Sequence, residues 1–121
     1  ATFHNHKTIM FVVCLKLIVI HDTAFASSNL LRRFRSPKLQ KIGEYAFYNC
    51  VSLVEIDLEN VVELSVGCFK YCQSIVSHYL PKLKKMEEES YGNNAALIQV
   101  ICPQLEEEIP DSKIIGKSKL A

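Results

Sequence analysis

The sequence has no tryptophan and only four glycines, and no glycine-rich loop of the kind that cradles phosphates. Its five cysteines include no C-x-x-C pair. Zinc ribbons and thioredoxin-like redox sites use that spacing, and an odd count argues against a disulfide framework. A dominant charge is missing too: the formal net charge is +1 and the sequence pI about 7.8. Without a large single-sign field, nucleic acid is not an expected partner, and a charged ligand would have to meet a local patch. Long apolar runs are absent. Ile9 to Ile20 is apolar except for Lys16 and is too short for a bilayer, so no membrane span is expected in this segment. Lys7, this run and Ala24-Phe25-Ala26 also follow the order of a signal peptide over residues 7–26. Lys16 breaks that run, and the register described next accounts for the same residues. The chain opens at Ala1 with its first methionine at Met10, as expected of a fragment or a processed product.

What is present is 49% hydrophobic and 22% charged residues, enough apolar material for one small soluble domain. Those hydrophobes recur with a period of 22 residues. Phe3, Phe25, Phe47, Phe69 and Tyr91 form one column; Ile9, Leu31, Leu53, Ile75 and Leu97 form another; Leu17, Leu39, Val61, Leu83 and Leu105 a third. Ile20, Ile42, Leu64 and Met86 keep the same step, as do the small residues Ala24, Ala46, Cys68 and Ser90. Pro37, Pro81 and Pro103 share a column with Leu15 and Glu59. A fixed period of this length marks stacked supersecondary units. The units are a partial repeat at 1–14, repeats at 15–36, 37–58, 59–80 and 81–102, and a partial repeat at 103–110. Residues 111–121 carry no further element of the pattern and are expected to be an irregular tail.

Within a unit, Leu53-x-x-Ile56-x-Leu58 has the alternation of a strand with Ile56 and Leu58 on one face. The stretch that follows must bring the chain back to the next strand through turns or short helical pieces. One coil cannot enclose its own apolar side chains, so stacking must bury them. Each Leu or Phe so buried contributes roughly 1.5–3 kcal/mol. His78, in the column of Val12, Phe34, Ile56 and Val100, and Ser36, in the column of Leu58 and Leu80, are expected to weaken the core locally.

The segment Ile42-Gly43-Glu44-Tyr45-Ala46-Phe47-Tyr48-Asn49-Cys50-Val51-Ser52-Leu53-Val54-Glu55-Ile56-Asp57-Leu58 resembles the BspA-like leucine-rich repeat, I-G-x-x-A-F-x-x-C-x-x-L-x-x-I-x-L-P, and the likeness runs to about Pro110. The resemblance implies an α/β leucine-rich-repeat solenoid. Its coils would wind as a right-handed superhelix, with a parallel β-sheet on the concave side and short helical or turn segments on the convex side. It also implies a surface or secreted adhesion or recognition protein.

Cys50 and Cys72 share a column with Asn94, Cys14 and Cys102 lie in the column of Leu58, and Cys68 in the small-residue column. Packing accounts for all five, because a free thiol behaves as a small buried hydrophobe with a weak donor. His4, His6, His21 and His78 are too scattered over the columns to converge as metal ligands, and no nucleophile, base and orienting group form a catalytic set. No enzyme activity, cofactor or metal is expected. The runs Glu87-Glu88-Glu89 and Glu106-Glu107-Glu108 read as solvated faces, lacking the spaced ligands of a calcium loop. Lys41, Glu63, Lys85 and Glu107 alternate in sign down one column, as a ladder that sets coil register would.

The strand positions that face away from the core are the candidate binding residues. They fall on three columns: Met10, Arg32, Val54, Val76 and Ile98; Phe11, Arg33, Glu55, Ser77 and Gln99; Val13, Arg35, Asp57, Tyr79 and Ile101. Equivalent residues on neighbouring strands lie about 4.8 Å apart, so Arg33 should meet Glu55 and Arg35 should meet Asp57. Beside them Val54, Val76, Tyr79, Ile98 and Ile101 form an apolar strip rimmed by charge, a pattern that marks interfaces. The expected ligand is a protein or a glycan, with Arg32, Arg33 and Arg35 able to meet an anionic group. The competing expectation is a spacer segment of a longer protein with no ligand of its own, whose uncapped ends self-associate.

Overall fold

A computed structural model describes residues 8–120; Phe3, His4, His6 and Lys7 lie outside the described residues. Along the chain, short strands form wherever β-branched or alternating apolar positions recur: β1 (Phe11–Val13), β2 (Val19–Ile20), β3 (Arg33–Arg35), β4 (Lys41–Ile42), β5 (Glu55–Ile56), β6 (Glu63–Leu64), β7 (Ser77–Tyr79), β8 (Lys85–Met86), β9 (Gln99–Ile101) and β10 (Ile114–Ile115). A single helix, α1 (Lys117–Leu120), closes the described chain. Odd and even strands stack separately. Every pairing is parallel, and from β1 to β9 each step advances 22 residues, as in Phe11 with Arg33 and Lys41 with Glu63.

The first ladder carries the expected strand columns, but it is not one continuous sheet. It is interrupted into β1-β3-β5 and β7-β9-β10. The turn that ends each strand varies as well. The amides of Cys14, Leu80 and Cys102 donate to the next coil's backbone, at Arg35, Ile101 and Ile115, with lengths of 2.8, 2.8 and 2.9 Å. The equivalent amide of Ser36 instead donates to the Asp57 side chain at 2.7 Å, and β5 shortens to two residues before the break.

The second ladder, β2-β4-β6-β8, was not anticipated from the sequence, which places only turns or short helices on the return path. It supplies two paired residues per coil, one inward and one outward. Lys41, Glu63 and Lys85 are register partners in it. Among the described residues Lys85 closes its ion pair with Glu87 at 3.2 Å rather than with Glu63, and Glu87 is the main reason its ammonium is held more firmly protonated.

The remaining return path is built from turns, and no helix occurs in it. Two columns adopt the left-handed region: Thr23, Tyr45, Gly67 and Glu89, then Ser27, Asn49, Tyr71 and Asn93. Each such residue other than glycine costs about 1 kcal/mol or more. The cost is offset by cross-coil bonding. Alternate amides donate to the next coil, as in Thr23 to Glu44, Phe25 to Ala46 and Ser27 to Tyr48 at 2.7–2.9 Å, and the pattern repeats twice more. Gly67 is fixed twice over: its φ is +59°, and a Cβ there would run into the Tyr45 ring.

Between the ladders lies one continuous core. Phe25, Phe47, Phe69 and Tyr91 stack ring on ring with centroids 5.3–5.5 Å apart. Phe34 sits edge-on between Phe25 and Phe47, and His78 takes the corresponding place against Phe69 and Tyr91. His78 is therefore integrated rather than merely tolerated: its Nδ1 and the Tyr91 hydroxyl lie 2.7 Å apart. The hydroxyl that distinguishes Tyr91 from its phenylalanine equivalents answers the imidazole that distinguishes His78 from its apolar ones. Ser36 is buried with its hydroxyl unpartnered, a local weakness of the kind expected.

The expected irregular tail is corrected by β10. Ile114 is buried and pairs in register with Val100, a step of 14 instead of 22. The last coil omits the aromatic return turn but still covers the edge of β9, because the amides of Val100 and Cys102 need acceptors and find them at Lys113 and Ile115.

Candidate binding face

The outward columns of the first ladder lie where the period puts them. Val54, Val76, Tyr79 and Ile98 are 45, 51, 60 and 68% exposed. Gln99 and Ile101 are half-buried and the three arginines exposed. Phe11 and Val13 extend the exposed apolar surface at the first coil. Both expected ion pairs form: Arg33 Nε to Glu55 at 3.4 Å and Arg35 to Asp57 at 3.0 Å. Asp57 is the more sheltered carboxylate, because it also accepts the Ser36 amide. Arg32, one residue earlier, has no side-chain partner among the described residues. Of the three arginines its guanidinium is the one open to a new anion.

At the break between β5 and β7 the face dips into a groove of about 410 Å³, lined by Arg33, Arg35, Glu55, Asp57, Ser77 and Tyr79 among others, with His78 at its floor. The structure thus draws the Arg33–Glu55 and Arg35–Asp57 pairs and Tyr79 to one depression. Arg32, Ile98, Gln99 and Ile101 lie outside its lining, on the same face. The depression had no signal in the columns, because the 22-residue period continues unchanged on both sides of the break.

Elsewhere the chemistry is quiet. All five cysteines are free thiols, and Cys50 and Cys72 donate to the carbonyls of Phe25 and Phe47 one coil earlier, each at 3.1 Å. Burial pushes the Cys50 thiol up to about 12 and the Cys102 thiol up to about 11, and raises Cys68 and Cys72 as well. Such thiols are poor nucleophiles and poor metal ligands. Among the described residues no three histidine, cysteine or acidic side chains converge to hold a metal. His21 is exposed and His78 buried, on different columns. No helix among the described residues is long and apolar enough to cross a membrane.

A tyrosine cluster on the return side was missed. Tyr45, Tyr48 and Tyr71 meet edge-to-face at 5.7 Å, with Lys70 over the Tyr71 ring and paired to Glu89 at 2.9 Å. Spacings of 3 and 23 residues put them side by side on adjacent coils, and that was the available signal.

The whole architecture has a counterpart. The chain is similar in structure to a leucine-rich cell surface protein from Faecalibacterium prausnitzii A2-165, with a TM-score of 0.78 and 21% identity over 93% of this chain. It spans 34% of the length of that protein. No curated protein is significantly similar in sequence. Residues 1–120 match the BspA type leucine-rich-repeat region in six copies, which takes in β10 as well as the five coils before it. The chain belongs to the BspA-type leucine-rich-repeat family.

Proposed function

We propose that this chain is a macromolecule-binding repeat module, and that its ligand, a protein or a glycan, lies across the outward face of the first ladder. One observation carries the reading. An apolar column of Val54, Val76 and Ile98, with Tyr79 beside it, faces solvent along a ladder whose opposite side packs on the core. Exposed apolar surface of this kind, rimmed by charge, is the usual mark of an interface. The ion pairs contribute only about 0–1 kcal/mol each to stability. Their role in this reading is to hold charged groups in fixed positions around the groove, so that a partner meets a prepared pattern.

Arg32 supplies the anchoring cation and Tyr79 the flat apolar contact, a residue type over-represented at the centre of interfaces. A surface or secreted setting fits the family and the name of the structurally similar protein. The purified chain should bind a component of a glycan array or of a panel of host extracellular proteins. Arg33→Ala with Tyr79→Ala and Ile98→Ala should weaken that binding at least tenfold while leaving the circular dichroism unchanged. The reading fails if those changes are silent and substitutions at Tyr45 and Tyr71, on the return side, abolish binding. Binding to nothing on either panel would favour a spacer that positions other parts of a longer protein.

A further inference from the structure

A groove of about 720 Å³, larger than the one beside Tyr79, lies away from the proposed binding face. It lies at the end of the return-side turns, where the 14-residue last coil leaves out the aromatic turn that would otherwise stack on residues 87–95. Three observations mark it as more than a gap.

First, the cross-coil bonding that joins each earlier pair of turns among the described residues stops here with its donors open. Gly67, Phe69 and Tyr71 donate to Glu88, Ser90 and Gly92 at 2.8–3.2 Å. One coil on, the equivalent amides of Glu89, Tyr91 and Asn93 donate to nothing among the described residues. Of the three residues Tyr91 is buried, and an unpaired amide there is costly. Secondly, Asn94 is 5% exposed and lines the groove, and its Nδ2 has no partner. Its Oδ1 is already used, by the Cys72 amide at 3.0 Å. The site therefore offers three backbone donors in the register of the fold and lacks the acceptors, with the Asn94 Nδ2 closed off behind them. Thirdly, Glu88 and Asp111 line it against one Lys113, beside Glu87 and Glu89, which are paired to Lys85 and Lys70. An acidic rim around amide donors repels an anion and suits neutral carbonyls flanked by a cation.

We propose that this groove docks an extended or turn-forming polypeptide segment bearing a basic side chain, from a partner protein, by continuing the turn ladder. The segment's carbonyls accept from Glu89, Tyr91 and Asn93 as Glu88, Ser90 and Gly92 accept from the coil before. Its basic side chain meets Glu88 and Asp111. The principle is that of strand addition at a sheet edge, with turns in place of strands. The site is separate from the first-ladder face and stands whether or not that face binds a ligand.

A synthetic peptide copying residues 64–73, with both cysteines replaced by serine, is a suitable probe. In the fold that stretch supplies the carbonyls of Val66, Cys68 and Lys70 to the preceding coil, and it carries Lys70 as its cation. Amide hydrogen exchange followed by NMR should show Glu89, Tyr91 and Asn93 exchanging fast in the free chain and slowed at least tenfold by saturating peptide. Glu88→Lys, at an exposed residue whose carboxylate makes no bond among the described residues, should weaken the peptide several-fold without changing thermal stability. The proposal is overturned if these three amides are protected already in the free chain, or if peptide leaves them unchanged. It is overturned equally if protection follows protein concentration in sedimentation runs without peptide, since the occupant would then be a second copy of this chain.

Discussion

At position 78 the column of inward residues changes from aliphatic or aromatic to histidine, and thirteen residues later the phenylalanine column changes to tyrosine. The two changes meet in the core as one hydrogen-bonded pair, with His78 Nε2 left without a partner. Replacing either alone strands a buried polar group at a cost of about 1–3 kcal/mol. The double variant His78→Ile with Tyr91→Phe should be more stable than either single variant, by chemical denaturation at pH 7; additive losses would show that the two residues act independently. Burial also lowers the His78 imidazole from 6.5 to about 4. The unfolded chain therefore takes up a proton first as pH falls. Stability from this group is intact above pH 6.5 and is lost by about pH 4, amounting to about 3 kcal/mol. Denaturation midpoints measured from pH 7 to 4 should fall, and the double variant should lose most of that slope. The buried thiols give a second test. A thiol reagent at pH 8 should leave Cys50, Cys68, Cys72 and Cys102 unlabelled in the native protein and label all five cysteines in denaturant. Rapid native labelling of Cys50 or Cys72 would contradict the packing described.

Elements show where the period helps a reader and where it does not. A strict 22-residue step sets register, so the pairing of Arg33 with Glu55 and of Arg35 with Asp57 is legible from sequence before any coordinates. The second ladder is not, because two residues per coil, such as Lys41-Ile42, carry too little alternation to separate a strand from a turn. The left-handed columns are hidden for a related reason. Thr23, Tyr45 and Glu89 have no common side-chain property, and it is the cross-coil amide bonding that holds their backbones there. The end of the solenoid is obscured when the step shortens to 14 and Ile114 arrives after a polar stretch. Deleting residues 111–121 should therefore be costly rather than neutral. It removes the burial of Ile114 and two backbone hydrogen bonds to β9, together about 3 kcal/mol or more. A fall in the midpoint of thermal unfolding checks this; an unchanged midpoint would return the segment to the status of a loose tail.

Across the whole molecule, each coil touches only its neighbours, and the stack of Phe25, Phe47, Phe69 and Tyr91 ties them into one core. This division leaves the outward residues of the first ladder outside the core, with structural bonds in their ion pairs and in the Asp57 contact to the Ser36 amide, and the proposed ligand face rests on them. Tyr79 and Ile98 are legible as candidates from their columns. The groove beside Tyr79 is not, since the 22-residue period runs unchanged on both sides of it. Having found a ligand on the glycan or host-protein panel, the most direct measurement is to titrate it into isotope-labelled chain and map the amide chemical shifts. The account predicts that the changes cluster from Arg32 to Arg35, Val54 to Asp57, Val76 to Tyr79 and Ile98 to Ile101. Changes confined to the return-side turns around Tyr45, Tyr48 and Tyr71 would contradict it.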